Sequence, residues 1–268
     1  MFKIVTKEII NELDNFKFEK INSYEVTELI DEPSQEVIDL AEKIKDKTEK
    51  DINNCSEQQL KFYNDCSKLI FGELKDSSPV LIPAKCGFGK TTFLKSMIST
   101  LISEIKENNL SEEILPMIIT QERVKDLTDL VEHIRKEHGY YNEVEQIDYI
   151  YLFKSWNKNI SCLNTFAPKD WEESLVRCNQ KNCKKFWNCE LSKQMETSKK
   201  SPIIAFTTKK LGIITDSIEE DNDINNYLKF INNDKSELER TKLIIDEKPN
   251  FLKAESISIR TVDNLKNY

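Results

Sequence analysis

The sequence predicts an α/β fold in which a mostly parallel sheet is flanked by helices. Short apolar runs at residues 79–82, 114–119, 147–153, 203–206 and 243–245 have the length and β-branched content of buried strands. Segments with apolar residues at helical spacing lie between several of them, and strands alternating with helices imply a parallel sheet covered on both faces. One stretch, residues 79–105, runs strand, glycine-containing loop, helix. That order turns backbone amides toward an anion. A small cysteine-rich insertion and a helical N-terminal extension complete the expected architecture.

The 268 residues suffice for one large domain or two modest ones. With 38% hydrophobic and 32% charged residues and only 5 Gly and 7 Pro, the chain is neither membrane-like nor low in complexity. No apolar run of about 18 residues exists, so no membrane partner is expected. Lys7 and Glu8 interrupt any signal-peptide core, and a cytoplasmic location follows as an expectation. The net charge of −8 gives no global pull toward nucleic acid, so such contact needs a local patch. Seven cysteines in a reducing compartment are not expected to form disulfides.

In chain order, residues 1–54 form the N-terminal extension. Pro33-Ser34 opens a helix whose stripe is Val37, Leu40, Ala41 and Ile44. Ser56 and Gln59 have capping-box spacing, and Leu60, Tyr63, Cys66 and Ile70 continue a second helix. The apolar run 79–82 leads into the loop, followed by a helix to about residue 105 with Phe93, Met97, Ile98 and Leu101 on its buried side. The run at 114–119 is weakened as a strand by Pro116. Val124, Leu127, Val131 and Ile134 make the next helical stripe. The expected divisions are 1–54, extension; 55–148 and 201–268, the two parts of the nucleotide-binding domain; 149–200, the cysteine-rich insertion.

The loop reads Ala84-Lys85-Cys86-Gly87-Phe88-Gly89-Lys90-Thr91. This is a P-loop: its amides, from Ala84 through Gly87, Phe88 and Gly89 to Thr91 and Thr92, cradle phosphates, and the helix N-terminus adds partial positive charge. Lys90 is expected on the β- and γ-phosphates of ATP, and the Thr91 hydroxyl on Mg²⁺. A strand ending in Asp246-Glu247 supplies the remaining parts. Asp246 holds the metal, and Glu247 orients and polarises the attacking water. Lys90, Asp246 and Glu247 are therefore the candidate catalytic residues.

Between the two motifs lies Cys162-x15-Cys178-x4-Cys183-x5-Cys189. Neither short spacing is the two-residue gap of a zinc knuckle, and both histidines, His133 and His138, are remote in sequence. Four thiolates so spaced fit an iron–sulfur cluster at least as well as Zn²⁺. Residues 151–200 also carry ten Lys or Arg against five acids, all three tryptophans (Trp156, Trp171, Trp187), and Phe166 and Phe186. Cations interleaved with aromatic rings suit single-stranded DNA.

Residues 150–162 leading to the first cysteine, the x4 and x5 spacings, and the position of the cysteines between P-loop and Asp-Glu resemble DinG/XPD-like iron–sulfur superfamily 2 DNA helicases. The resemblance spans roughly residues 56–250. It includes Gln59 (or Gln58), Ile118-Ile119-Thr120-Gln121 and Ile203 to Leu211. It implies a P-loop NTPase, RecA-like fold and a 4Fe-4S cluster held by Cys162, Cys178, Cys183 and Cys189. It also implies an adenine contact for Gln59 and a DNA-backbone position for the 118–121 segment. The family's Asp-Glu-Ala-His reads Asp246-Glu247-Lys248-Pro249 here, and the chain ends 22 residues after Asp246. The expectation is a first motor domain that binds nucleotide and DNA, with weak ATPase and no unwinding until a second motor domain or subunit completes the ATP site. The alternative is a regulatory ATPase or nucleotide switch with a structural zinc module and a protein partner. A small-molecule kinase is a third reading, without an acceptor site or lid in the sequence to support it.

Overall fold

A computed structural model describes residues 32–72, 87–154, 188–208, 210–211 and 225–246. The strand expected at 79–82 lies outside them, as do Ala84 and residues 1–31 of the extension. The described residues form an α/β structure with a parallel four-stranded sheet flanked by helices.

Helix α1 (Gln35–Ile52) starts where Ser34 accepts the Val37 N–H, and its inner face is Leu40, Ala41, Ile44 and Thr48. Helix α2 (Glu57–Phe71) opens with the expected capping box: the Gln59 N–H donates to Ser56 Oγ, and the Ser56 N–H donates to Gln59 Oε1. It ends at Gly72. Helix α3 (Lys90–Lys106) follows the glycine loop, and helix α4 (Val124–His138) ends at Gly139, whose φ of +75° breaks the helical path. Of the expected stripe of α4, Val124, the first helical residue, is 52% exposed, and the face turned inward is Leu127, Leu130, Val131 and Ile134.

The strands are β1 (Met117–Gln121), β2 (Ile150–Leu152), β3 (Ile203–Thr207) and β6 (Lys242–Ile245), in the order β2-β3-β1-β6, all parallel. The expected strand at 114–119 begins instead at Met117. Because β1 pairs on both sides, Pro116 could not supply a ladder N–H within it. A 3-10 turn, Glu112–Ile114, fills the preceding positions. The run at 147–153 contributes only β2 to the sheet, while Ile147 bridges Asn142.

Alternation along the strands builds two apolar layers. Met117, Ile119, Ile203 and Ala205 face helices α1 to α4, and join Leu40, Ile44, Tyr63, Phe93, Met97 and Leu130 in the main core. Ile118, Ile204 and Phe206 face the other way, against Phe153, Leu211 and Tyr227. Helix α5 (Glu190–Ser198), through Met195, and helix α6 (Asn225–Leu228), through Leu228, lie on that second layer. A small antiparallel hairpin, β4 (Lys229–Ile231) and β5 (Glu237–Glu239), was not apparent in the sequence. Each strand is only three residues long, too short for alternation to stand out in the sequence.

The cysteine-rich stretch leaves the sheet after β2 and returns through α5. The Lys154 N–H donates to Gln194 Oε1 at 2.8 Å and so pins its two described ends together. The expected insertion boundary at 149 moves accordingly, because β2 belongs to the main sheet.

Candidate nucleotide-binding site

Two glycines shape the end of the loop. Gly87 and Gly89 have φ of +80° and +76°, a region that costs an L residue strain. Gly89 is the N-cap of α3, and its carbonyl accepts the first helical bond, from the Phe93 N–H at 2.8 Å. Space as well as torsion requires glycine there. A Cβ on Gly89 would lie 2.6 Å from both Ile52 Cδ1 and the Tyr63 hydroxyl.

The loop is also held from behind. Tyr63 is fully buried, stacks on Phe93 with ring centroids 5.4 Å apart, and donates its hydroxyl to the Phe88 carbonyl. Phe88, at a variable P-loop position with no evident chemistry in the sequence, packs edge-on against Phe62 at 5.1 Å. Both contacts anchor the loop to α2. Burial raises the Tyr63 pKa above its ordinary value, and a hydrogen bond with the Gln59 side chain pulls the other way. Gln59 thus serves the cap of α2 and touches the loop through Tyr63.

Lys90 and Thr91 are the first two residues of α3, Lys90 half-buried and Thr91 exposed. The first-turn amides of a helix have no acceptor within it and attract anions. Thr92, half-buried behind them, accepts the Ser96 hydroxyl on its carbonyl, and the same hydroxyl lies 2.7 Å from Asp51.

Asp246 follows β6, and its N–H extends the ladder to the Thr120 carbonyl at 2.9 Å. Its Oδ2 accepts the Thr91 hydroxyl at 3.4 Å and a Gln121 amide N–H at 2.9 Å. The structure therefore brings Thr91 and Asp246 together across 155 positions, at the C-terminal edge of the sheet where α/β folds bind ligands. Sequence reasoning placed Gln121 on a DNA-facing segment and missed its contact with Asp246. The parallel register that sets Thr120 beside Ile245 is the signal that finds it.

Thr91 and Asp246 present hard oxygen donors on a partly exposed surface, which fits Mg²⁺. Glu247 lies outside the described residues, as do Cys162, Cys178 and Cys183. Cys189 is described: it is the buried N-cap residue of α5. Among the described residues, no group of three or more His, Cys, Asp or Glu side chains is placed to hold a metal ion. Trp156, Trp171, Trp187, Phe166 and Phe186 also lie outside. Of the basic side chains expected near a nucleic-acid strand, Lys154 and Lys193 are exposed, whereas Lys199 pairs with Glu196 and Lys200 with Glu145. Lys210, after β3, is buried with its ammonium 4.3 Å from the Phe153 ring centre, and burial lowers its pKa to about 8.

No helix among the described residues is long and apolar enough to cross a membrane. No family model, curated protein or solved structure matches the chain.

Proposed function

We propose that this chain binds ATP with Mg²⁺ at the N-terminus of α3 and hydrolyses it, as the first motor domain of a DinG/XPD-like DNA helicase in the cytoplasm. Its sheet is then the core of a RecA-like P-loop NTPase. The observation that supports this reading best is the Thr91–Asp246 contact, 3.4 Å long, beside a helix that begins on a left-handed glycine. A chance Gly-Lys-Thr has no reason to face a carboxylate at the end of a neighbouring strand.

In this reading the loop and first-turn amides bind the phosphates, with Lys90 on their outer oxygens. Thr91 and Asp246 hold Mg²⁺, which when bound supplies positive charge to the β- and γ-phosphate oxygens. Glu247 orients the attacking water. Cys162, Cys178, Cys183 and Cys189 hold a 4Fe-4S cluster, and the basic, aromatic stretch around them contacts single-stranded DNA. A second motor domain or subunit closes the site over the exposed Thr91 side chain.

A fluorescent ATP analogue tests the first step. The folded chain binds it in the presence of Mg²⁺, and Lys90→Ala weakens binding at least ~10-fold, the loss of about one charged phosphate contact. A folded wild-type chain that binds no nucleotide refutes the reading. Stoichiometric iron in anaerobically purified protein, and salt-sensitive affinity for single-stranded DNA, test the cluster and strand contact separately.

A further inference from the structure

We infer that Gln121 is a positioning residue of the Mg²⁺ site: its amide nitrogen holds Asp246, and its side-chain oxygen accepts a hydrogen bond from a water bound at the metal. The inference rests on the nucleotide reading above and adds a residue that the P-loop and Asp-Glu motifs do not contain.

Gln121 is the last residue of β1 and only 3% exposed. By alternation its side chain shares a face with Met117 and Ile119, the face turned to the main core. The register carries it alongside Asp246, one step beyond the Thr120–Ile245 pair. The amide orientation follows from chemistry. A carboxylate can only accept, so the group turned toward Asp246 Oδ2 at 2.9 Å must be the NH₂. The Gln121 oxygen therefore points elsewhere, and it is buried with no hydrogen-bond partner.

Buried acceptors without a partner are rare, and each needs a donor or a reason. An apolar side chain would fill this strand position without that penalty. The absent partner must carry a proton, which excludes a phosphate oxygen and fits a water in the coordination shell of Mg²⁺, a cation that usually keeps several waters. Gln121 then does two things at once. It fixes the carboxylate that approaches Thr91, and it orders a water on the metal, as outer-shell partners of metal ligands do.

The test titrates Mg²⁺ against the folded chain carrying N-methylanthraniloyl-ATP, beside a binding curve in EDTA. Gln121→Met keeps chain length and burial but removes both polar atoms. It should raise the Mg²⁺ concentration for half-saturation by roughly 10-fold or more, the usual cost of losing an outer-shell partner. Nucleotide affinity in EDTA should stay within about 2-fold of wild type, because the phosphate contacts are untouched. The thermal shift produced by Mg²⁺ over EDTA should shrink in parallel. Gln121→Leu is a second variant, read if the Met variant fails to melt cooperatively. An unchanged Mg²⁺ requirement in either folded variant overturns the inference while nucleotide binding stands. A folded wild-type chain that binds no nucleotide overturns the nucleotide reading, and the inference with it.

Discussion

The Tyr63 hydroxyl of α2 donates to the Phe88 carbonyl of the loop, directly behind Gly89. This bond ties the glycine loop to a helix that supplies none of the loop's own residues. It makes the loop's shape depend on the α2 packing surface, where the Phe62–Phe88 contact adds a second tie. Tyr63→Phe should keep the stacking on Phe93 and lose only the hydroxyl. The expected cost is about 1 kcal/mol in denaturant unfolding. Nucleotide affinity should fall more than stability alone explains, because the loop loses an anchor. Equal affinity for the fluorescent analogue in wild type and variant would show that the loop holds its shape without Tyr63.

Gly89 meets two constraints that separate experimentally. Its left-handed φ of +76° penalises any Cβ by roughly 1–2 kcal/mol. Contact at 2.6 Å with Ile52 Cδ1 and the Tyr63 hydroxyl adds a steric component. Gly89→Ala should therefore cost more than the torsional penalty. In an Ile52→Val, Tyr63→Phe background both crowding atoms are gone, and the additional cost should disappear. A double-mutant cycle on unfolding free energies reads the difference, and additivity would mean the loop relaxes away from the contact.

The main strands are legible in the sequence because both faces of the sheet are covered. Met117 to Ile119, Ile203 to Phe206 and Leu243 to Ile245 are apolar at every position, and each residue joins one of the two cores. The helices are legible from their caps: Ser34 and the Ser56–Gln59 box stand where chain chemistry places them. The Gln121–Asp246 contact is not legible, because it depends on which two strands are neighbours, and no local pattern specifies strand order. Tyr63 reads only as a stripe residue. Its hydroxyl matters because of where α2 meets the loop. The β4–β5 hairpin escapes for a different reason: with buried Phe230 as its apolar anchor, it is held by Arg240 rather than by its own pattern.

Arg240 is 1% exposed, and its guanidinium donates to five carbonyls: Pro202, Tyr227, Lys229, Ser198 and Ser201. These carbonyls come from the end of α5, the entry to β3, and the α6–β4 junction. One planar cation thus joins the return of the cysteine-rich stretch to the start of β6. Arg240→Met should leave those carbonyls without their donor and cost on the order of 3 kcal/mol. Arg240→Lys should recover little, since a single ammonium cannot span the fork geometry. Thermal unfolding of both variants measures this. A Lys variant as stable as wild type would mean that charge, not geometry, holds the junction.

His138, at the end of α4, makes stability depend on pH in a definite direction. Its Nε2 lies 2.9 Å from the Ser99 hydroxyl on α3. Burial lowers its pKa from 6.5; the neighbouring Glu137 opposes this, and Lys106, Lys47 and His133 reinforce it. The folded chain then binds fewer protons at this site than the unfolded chain. Stability is present above the unfolded value of about 6.5 and is lost as pH falls through it. His138→Gln keeps a polar partner for Ser99 and removes the titration. Carboxylates titrate in both proteins and cancel in the comparison. The wild type should lose more stability than the variant between about pH 7.5 and pH 5.5. Parallel stability curves over that interval would mean that His138 takes up its proton equally easily in the folded and unfolded chains.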